Sequence, residues 1–237
     1  MKTEDKANTS KVRIAVLGQC NVGKSALTVR YLTRRYIGEY RSNTDLLYKQ
    51  TLTVNNSAFE VEIVDVSNGE LSFPEEAIYW ADACVVVYDI TSRTSFTQAC
   101  NLLQRVQQLR SQLPMIYVLL GNKSDLEHLR QVEEDEARTR ANQQNVQFYE
   151  CSVAENTDSI YTSFDYILNE CRAHQQQTNK TRKFSVSKMI GTLIGNNGKV
   201  SPNSQPQSGT VVVCHKSDLY KSRILKRRAN FTATASL

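Results

Sequence analysis

Several features that place proteins in or across membranes are missing from this 237-residue sequence. No apolar run approaches the ~20 residues that a membrane-spanning helix needs. The polar segment 1–10 contains no apolar stretch of the kind found in secretory signals, so we expect no secretion signal. Residues 234–237 contain no cysteine and residue 2 is lysine, so we also expect neither a prenyl nor a myristoyl anchor. These absences favour a cytoplasmic protein.

The cysteines lack the spacing of a metal site. There are six of them, and no two form a C-x-x-C pair. Without a secretion signal, they are most simply reduced thiols of a cytosolic or nuclear protein. The six are Cys20, Cys84, Cys100, Cys151, Cys171 and Cys214.

Acidic residues are nearly absent from the C-terminal part. Residues 172–237 contain 12 basic residues and one acidic residue, a net charge of +11. Residues 1–171 contain 17 basic and 23 acidic residues, a net charge of −6. The C-terminal part is also rich in Gln, Asn, Ser and Thr, which bury little apolar area. We therefore expect a basic, largely disordered tail over 174–237.

Two islands interrupt the polar tail. Apolar residues of 183–194 recur near helical spacing among basic neighbours, which favours transient contact with an anionic membrane. The basic residues of 219–228 favour nuclear targeting or nucleic-acid contact instead. A solvated tail that keeps the protein soluble is an equally open alternative.

Strand-like and helix-like patterns alternate over the first 172 residues, after a flexible N-terminus at 1–10. This alternation predicts an α/β domain over 11–173, with a mostly parallel six-stranded sheet covered by helices on both faces. A turn at 55–57 predicts a hairpin between two of the strands. The predicted strands are 12–17, 46–54, 59–66, 83–89, 115–121 and 148–151. The predicted helices are 24–35, 95–110, 133–142 and 157–172.

The segment 18–25 lies between the first predicted strand and a helix. It matches G-x-x-x-x-G-K-S, in which glycines let backbone N–H groups surround a triphosphate. Lys24 would reach the β- and γ-phosphates, and the hydroxyl of Ser25 would ligate magnesium. A glycine-containing turn with a surface lysine is the plainer alternative. The predicted phosphate-binding residues are Gly18, Gln19, Cys20, Asn21, Val22, Gly23, Lys24 and Ser25.

A second polar segment, 121–125, reads Gly-Asn-Lys-Ser-Asp and closes a buried strand. The carboxylate of Asp125 can accept from N1–H and the 2-amino group of guanine, a donor pair that adenine lacks. Asn122 can bridge to other loops, and the stem of Lys123 can pack along the base. The alternative is an ordinary helix N-cap.

Two further strand ends carry candidate ligands. Ser152 and the backbone N–H of Val153 follow the last predicted strand and could contact the base O6. Asp65 ends another apolar strand, where a carboxylate can hold a magnesium-bound water. A lone aspartate at a strand end is often only a turn residue.

The order of GQCNVGKS, a strand ending in Asp65, NKSD and CSVA resembles the Ras superfamily of small GTPases. Four segments are similar to its atypical branch of Rerg and Ras-like sister proteins: LTVRYLTRRYIGEY, YWADACVVVYDIT, GNKSDL and FYECS. The resemblance covers about 11–172 and implies a P-loop G domain that binds GTP or GDP with Mg²⁺, and partners that are effectors, exchange proteins and activating proteins. It also implies that Tyr36 stacks on the guanine edge, unless Tyr36 is only a residue of the helix end.

The chain departs from the Ras pattern at residues implied in hydrolysis. Gly69 replaces the glutamine that orients the attacking water, and Asn68 replaces a glycine whose N–H meets the γ-phosphate. Cys20 replaces a glycine near the space of an activating arginine. At a helix N-terminus Cys20 is either a reactive thiol or an inert small residue.

Other departures concern the metal and the base. The switch threonine that would ligate magnesium aligns with Asn43, and Thr44 could serve only after a one-residue slip. The segment after Asp65 is about two residues shorter than in Ras and is interrupted by Pro74. Ala154 replaces a lysine that packs on the base.

Three functions follow from these patterns. The first is a Ras-type regulatory switch that binds guanine nucleotide and hydrolyses GTP slowly. The alternative is a hydrolysis-deficient GTP-binding scaffold that acts through partner binding. A different P-loop enzyme, such as a kinase, is disfavoured by Asn-Lys-Ser-Asp at 122–125.

Overall fold

The computed structural model of the chain describes residues 9–37, 45–66, 73–186 and 210–213; for 178–186 and 210–213 it describes the backbone. A 3₁₀ segment spans Ser124–Leu129. The strands are β1 (Ser10–Gly18), β2 (Leu46–Val54), β3 (Ser57–Asp65), β4 (Ala83–Asp89), β5 (Ile116–Asn122), β6 (Gln147–Glu150) and β7 (Thr210–Val213). The helices are α1 (Lys24–Thr33), α2 (Glu75–Trp80), α3 (Arg93–Leu109), α4 (Glu134–Gln143) and α5 (Asp158–Val186).

The strands form one sheet in the order β6-β5-β4-β1-β3-β2-β7. β3, β1, β4, β5 and β6 run parallel to one another, while β2 is antiparallel to β3 and β7 is antiparallel to β2. The strand order reverses at β1: β3 and β2 lie on one side of it, and β4, β5 and β6 lie on the other. Ligands bind at such a reversal, outside the carboxyl ends of the strands.

Helices cover both faces of the sheet. α2, α3 and α4 pack on one face, for example through the fully buried Ile78 and Leu103. α1 and α5 pack on the other, where Tyr31 stacks on Phe164 with ring centroids 3.9 Å apart. A large apolar side chain buried in this way contributes roughly 1.5–3 kcal/mol.

The antiparallel hairpin of β2 and β3 turns at two asparagines. Asn55 and Asn56 have φ values of 50° and 59°. Positive φ at both central residues belongs to a type I′ turn, whose twist matches that of paired strands, and Asn tolerates this conformation better than most residues. The predicted hairpin is therefore confirmed without the glycine that usually marks it.

The α/β class, the six predicted strands and the helices on both faces are confirmed. Three features were not predicted: the short helix α2, the strand β7, and the length of α5. Pro74 is the N-cap residue of α2 and so begins a helix rather than only interrupting the segment. The prediction that the last helix ends at 172 is wrong, because α5 continues to Val186 through a stretch without Gly or Pro.

The remaining tail predictions stay predictions. Residues 187–209 and 214–237, which include most of both islands and Cys214, lie outside the described residues. Among the described residues, no helix is both long and apolar enough to cross a membrane. None of the five described cysteines is in a disulfide bond.

Candidate nucleotide-binding site

The phosphate and base residues predicted at three strand ends lie at one edge of the sheet. β1 ends at Gly18, β3 ends at Asp65 and β5 ends at Asn122. Because these strands are parallel, their carboxyl ends open onto the same edge. We call 18–25 with Asp65 the phosphate end, and 122–125 with 152–153 the base end.

Two glycines of the phosphate end leave no room for a side chain. Gly18 has φ 141°, and a Cβ there would lie 2.2 Å from the carbonyl oxygen of Val87. Gly23 has φ 95°, and a Cβ there would lie 2.3 Å from the amide nitrogen of Asn122. Both positions combine a left-handed conformation with close contact, so the loop needs glycine at each.

The N-terminus of α1 is open toward the loop. Its N-cap is Gly23, no side-chain cap bonds its first turn, and that turn contains no acidic residue. The first N–H groups of a helix lack intrahelical partners and carry positive partial charge. The end of this helix is therefore suited to an anion such as phosphate.

Lys24 is a buried cation that contacts its own loop. Its side chain is 8% exposed, and Nζ donates to the carbonyl oxygens of Gly18 and Gln19, each at 2.9 Å. Burial lowers the pKa of Lys24, and the charge of Asp65 partly opposes this shift. A desolvated ammonium group bonded to neutral carbonyls fits a site whose ligand brings negative charge.

Ser25 and Asp65 meet across the phosphate end. The hydroxyl of Ser25 donates to Oδ2 of Asp65. Burial raises the pKa of Asp65, while the Ser25 hydrogen bond and the Lys24 charge lower it. A hydroxyl beside a carboxylate is a set of hard oxygen ligands of the kind that Mg²⁺ takes, so these two residues fit the predicted metal.

Asn122 connects the two ends. Its side-chain amide donates to the carbonyl oxygen of Val22 at 2.8 Å, and its amide oxygen accepts from the N–H of Val153 at 3.2 Å. Asn122 is 3% exposed. One buried side chain thus fixes the phosphate loop against the loop after β6, which is the bridging role predicted from the sequence.

Asp125 and Ser152 are hydrogen-bonded to each other. The hydroxyl of Ser152 donates to Oδ1 of Asp125 at 2.6 Å and accepts from the N–H of Glu155 at 3.0 Å. The carboxylate is thereby oriented by the neighbouring loop. Their contacts with guanine stay a prediction.

Lys123 is anchored by a residue that the sequence analysis missed. Lys123 has φ 69°, and its Nζ lies 2.6 Å from Oδ2 of Asp89. The other carboxylate oxygen of Asp89 accepts from the N–H of Thr91 at 2.8 Å. Asp89 ends β4, the strand between β1 and β5, and that position at the same sheet edge was the available signal.

Arg30 was also missed, and no local pattern marks it. From α1, its guanidinium donates to the carbonyl oxygens of Val153 at 2.9 Å and Ala154 at 3.0 Å. It also lies 5.4 Å from the ring centre of Tyr36, whose side chain is half exposed at 50%. Arg30 therefore holds the 153–154 backbone, and Tyr36 lies beside it.

Of the remaining predicted residues, the structure describes some and not others. Within the phosphate loop, Cys20 is exposed and Asn21 has φ 64°. Asn43, Thr44, Asn68 and Gly69 lie outside the described residues, so the structure places neither the remaining predicted metal ligand nor the position of the replaced glutamine.

A sheet of this order, with a phosphate loop after its central strand and Asn-Lys-Ser-Asp after β5, defines a Ras-type G domain. The sequence profile described as "Ras family" matches residues 13–173, and the chain belongs to this family. It is accordingly a GTP-binding regulatory protein of the small-GTPase class.

Particular relatives agree with this assignment. The chain is 34% identical over 180 residues to the Ras-related and estrogen-regulated growth inhibitor of Homo sapiens, covering 76% of this chain and 90% of that protein. It is 36% identical over 178 residues to Ras-like protein family member 11B of Homo sapiens, covering 72% and 71%. A Ras-related and estrogen-regulated growth inhibitor-like protein of Bos taurus is 35% identical over 194 residues, covering 78% and 94%. The resemblance to an atypical Ras branch is thus confirmed.

Proposed function

We propose that this chain is a Ras-type switch that binds GTP and GDP with Mg²⁺ and hydrolyses GTP slowly. The observation that carries the proposal is a contrast within one site. Among the described residues, those predicted to bind the phosphates, the metal and the base come together at one sheet edge, where Lys24, Ser25 and Asn122 make their contacts. The residue expected to orient water is replaced by Gly69.

Each binding residue has a separate task. Lys24 and the open end of α1 would hold the phosphates, Ser25 and Asp65 would hold Mg²⁺, and Asp125 would select guanine. Bound Mg²⁺ would neutralise part of the phosphate charge. Asn122 bonds to both loops that carry these groups and keeps them at a fixed separation.

Hydrolysis is the weak step in this proposal. A glutamine side chain positions the attacking water in relatives, and glycine offers no side chain for that purpose. Cys20 adds a side chain to the phosphate loop near the space that an activating arginine would occupy. We therefore expect a single-turnover rate at or below the ~10⁻⁴ s⁻¹ scale of unassisted relatives.

A single-turnover GTP assay on the purified full chain tests this rate. Gly69→Gln should raise the rate, whereas the matched Gly69→Ala, which adds a side chain without an amide, should not. A wild-type rate of ~5–20 s⁻¹, the range of relatives assisted by an activating protein, would contradict the proposal.

The second candidate is a scaffold that binds GTP without turning it over. Gly69 favours it, because glycine has no side chain to orient the attacking water, and Asn68 places a side chain where the Ras pattern has a glycine whose N–H meets the γ-phosphate. Nucleotide released from the freshly purified chain separates the two functions. Mostly GTP indicates the scaffold, and mostly GDP indicates the slow enzyme.

A further inference from the structure

The 3₁₀ segment that carries Asp125 is attached at its start to the residue after β6. The N–H of Ser124 donates to the carbonyl oxygen of Cys151 at 3.1 Å. The N–H of Cys151 in turn donates to the carbonyl oxygen of Gly121 in β5 at 2.8 Å. These backbone bonds fix where the segment begins, and the position of its other end is left to side chains.

That other end is held by Arg130, which directly follows the segment. Its guanidinium donates from two nitrogen atoms to the two carboxylate oxygens of Glu150, each at 2.9 Å. Glu150 is the last residue of β6, and both side chains are only 10% exposed. Two parallel bonds between a planar guanidinium and a carboxylate fix orientation as well as distance. Both ends of the segment are therefore attached to consecutive residues at the end of β6.

Glu150 is itself held from the sheet. The hydroxyl of Tyr88, a fully buried residue of β4, donates to Oε1 of Glu150 at 3.4 Å. A Cβ at Gly121 would lie 2.7 Å from the Tyr88 oxygen and 3.1 Å from Cγ of Glu150. The carboxylate that accepts from Arg130 is thus packed against the residue before Asn122. Arg130 is thereby tied to the strand from which the base end extends.

A second carboxylate, that of Glu127, also contacts Arg130. Glu127 accepts from Nε of Arg130 at 2.8 Å and from an Nη at 2.7 Å. Its side chain is 67% exposed, in contrast to that of Glu150. Exposed ion pairs are screened by water and contribute little, whereas breaking a buried pair leaves an uncompensated charge. Arg130 therefore depends mainly on Glu150, and Glu127 offers a matched control on the same guanidinium.

We propose that Arg130 is a positioning residue for guanine recognition. Its pair with Glu150 fixes the end of the segment that carries Asp125, and so keeps the Asp125 carboxylate within reach of the N1–H and 2-amino donors of guanine. Ser152 orients that carboxylate, and Arg130 determines where its backbone lies. This inference rests on the proposed function, because it requires that Asp125 selects guanine.

Binding of GDP and of inosine diphosphate to the full chain tests the proposal, because inosine lacks the 2-amino group that Asp125 would bind. Arg130→Met keeps an unbranched stem and removes the guanidinium. The preference for GDP over inosine diphosphate should then fall by about fivefold. The matched Glu127→Gln should keep the wild-type preference. An unchanged preference in Arg130→Met, even with a lower free energy of unfolding, would overturn the proposal, since Arg130 would then serve only the fold.

Glu150→Gln is a milder change at the same pair. Its amide keeps one acceptor oxygen but places an NH₂ group against the guanidinium, so the preference should fall by about threefold. The double variant Arg130→Met/Glu150→Gln should lose no more than Arg130→Met alone, because both changes remove one pair. Losses that add would mean that the two residues act separately, which contradicts the proposal. If Arg130→Met does not fold, Glu150→Gln alone decides, and an unchanged preference there is the contrary result.

The wild-type chain separates this inference from the proposed function. Wild-type binding of ADP as tight as that of GDP would contradict the proposed function, and the inference would fall with it. A wild-type preference for GDP over both ADP and inosine diphosphate, retained in the Arg130 and Glu150 variants, would overturn only the role of Arg130.

Discussion

At the base end of the site, each carboxylate is paired with a hydroxyl or an ammonium group of the protein. The phosphate end instead contains a buried cation bonded to carbonyl oxygens of its own loop. Ser152 orients Asp125, and Asp89 pairs with Lys123. Lys24, by contrast, has its pKa lowered by burial. The difference predicts that the base end depends mainly on contacts between protein groups, while the phosphate end gains most from the ligand's negative charge.

The largest expected effect comes from removing the buried cation. Lys24→Met keeps the stem and removes the charge, so nucleotide affinity should fall by roughly 10²–10³-fold, the effect of breaking a buried charge pair. The free energy of unfolding of the nucleotide-free chain should not fall, since a desolvated cation is lost. Titration with a fluorescent GDP and chemical unfolding measure both.

The control for that prediction is Lys11→Met. Lys11 lies at the opposite end of β1 and pairs with Glu60 and Glu62. Its loss should leave nucleotide affinity unchanged. Lys24→Met could instead lower the free energy of unfolding of the nucleotide-free chain by as much as it weakens binding. The buried charge of Lys24 would then stabilise the fold itself, and the contrast between the two ends would be wrong.

The next effect concerns selection at the base end. Asp125→Asn replaces one acceptor by a donor facing the donors of guanine, which should cost on the order of 10²-fold in GDP affinity. Ser152→Ala removes the hydroxyl that orients the carboxylate and accepts from the N–H of Glu155, and should cost about fivefold. Competition between GDP and ADP measures selectivity. Equal losses for the two variants would mean that Asp125 acts structurally rather than on the base.

A substitution at Asn122 removes the contacts that join the phosphate end to the base end. Asn122→Ala leaves the buried N–H of Val153 and the carbonyl of Val22 without this partner, which should cost about 1–3 kcal/mol of unfolding free energy. Nucleotide affinity should fall as well, because the loops lose their fixed separation. Unfolding by urea with and without GDP separates the two effects. A loss seen only with GDP present would show that the bridge forms on binding.

The smallest effect is a pH dependence at Asp65. Burial raises the pKa of its carboxyl group, so protons compete with Mg²⁺. The stimulation of nucleotide binding by Mg²⁺ should weaken a few-fold as pH falls from neutral toward about 4. In the nucleotide-free chain the sign is opposite: the folded state keeps a proton that the unfolded chain releases, so stability falls as pH rises above 3.8.

Asp65→Asn is the control for both halves of that prediction. Asparagine does not titrate, so neither the Mg²⁺ effect nor the stability of the nucleotide-free chain should retain this component of the pH dependence. A wild-type pH profile that persists in Asp65→Asn would assign the titration to another group.

The two ends also differed in how well they could be predicted. The phosphate loop lies within eight consecutive residues, and its pattern alone identified Lys24 and Ser25. The base end draws on loops 31 residues apart in sequence, such as Asn122 and Val153. Asp89 and Arg30, which hold this end in place, carry no motif, because their role depends on neighbours brought close only by folding.

The sequence by itself determined the α/β class, the family and the residues expected to bind nucleotide, since strand periodicity and short motifs are local. Only the tertiary structure decided that Asn122 joins the two ends, that Lys24 is buried against its own loop, and that Thr210–Val213 covers β2. Those facts depend on contacts between distant segments. A run of β-branched residues favours a strand, but the run alone does not determine which sheet edge that strand pairs with.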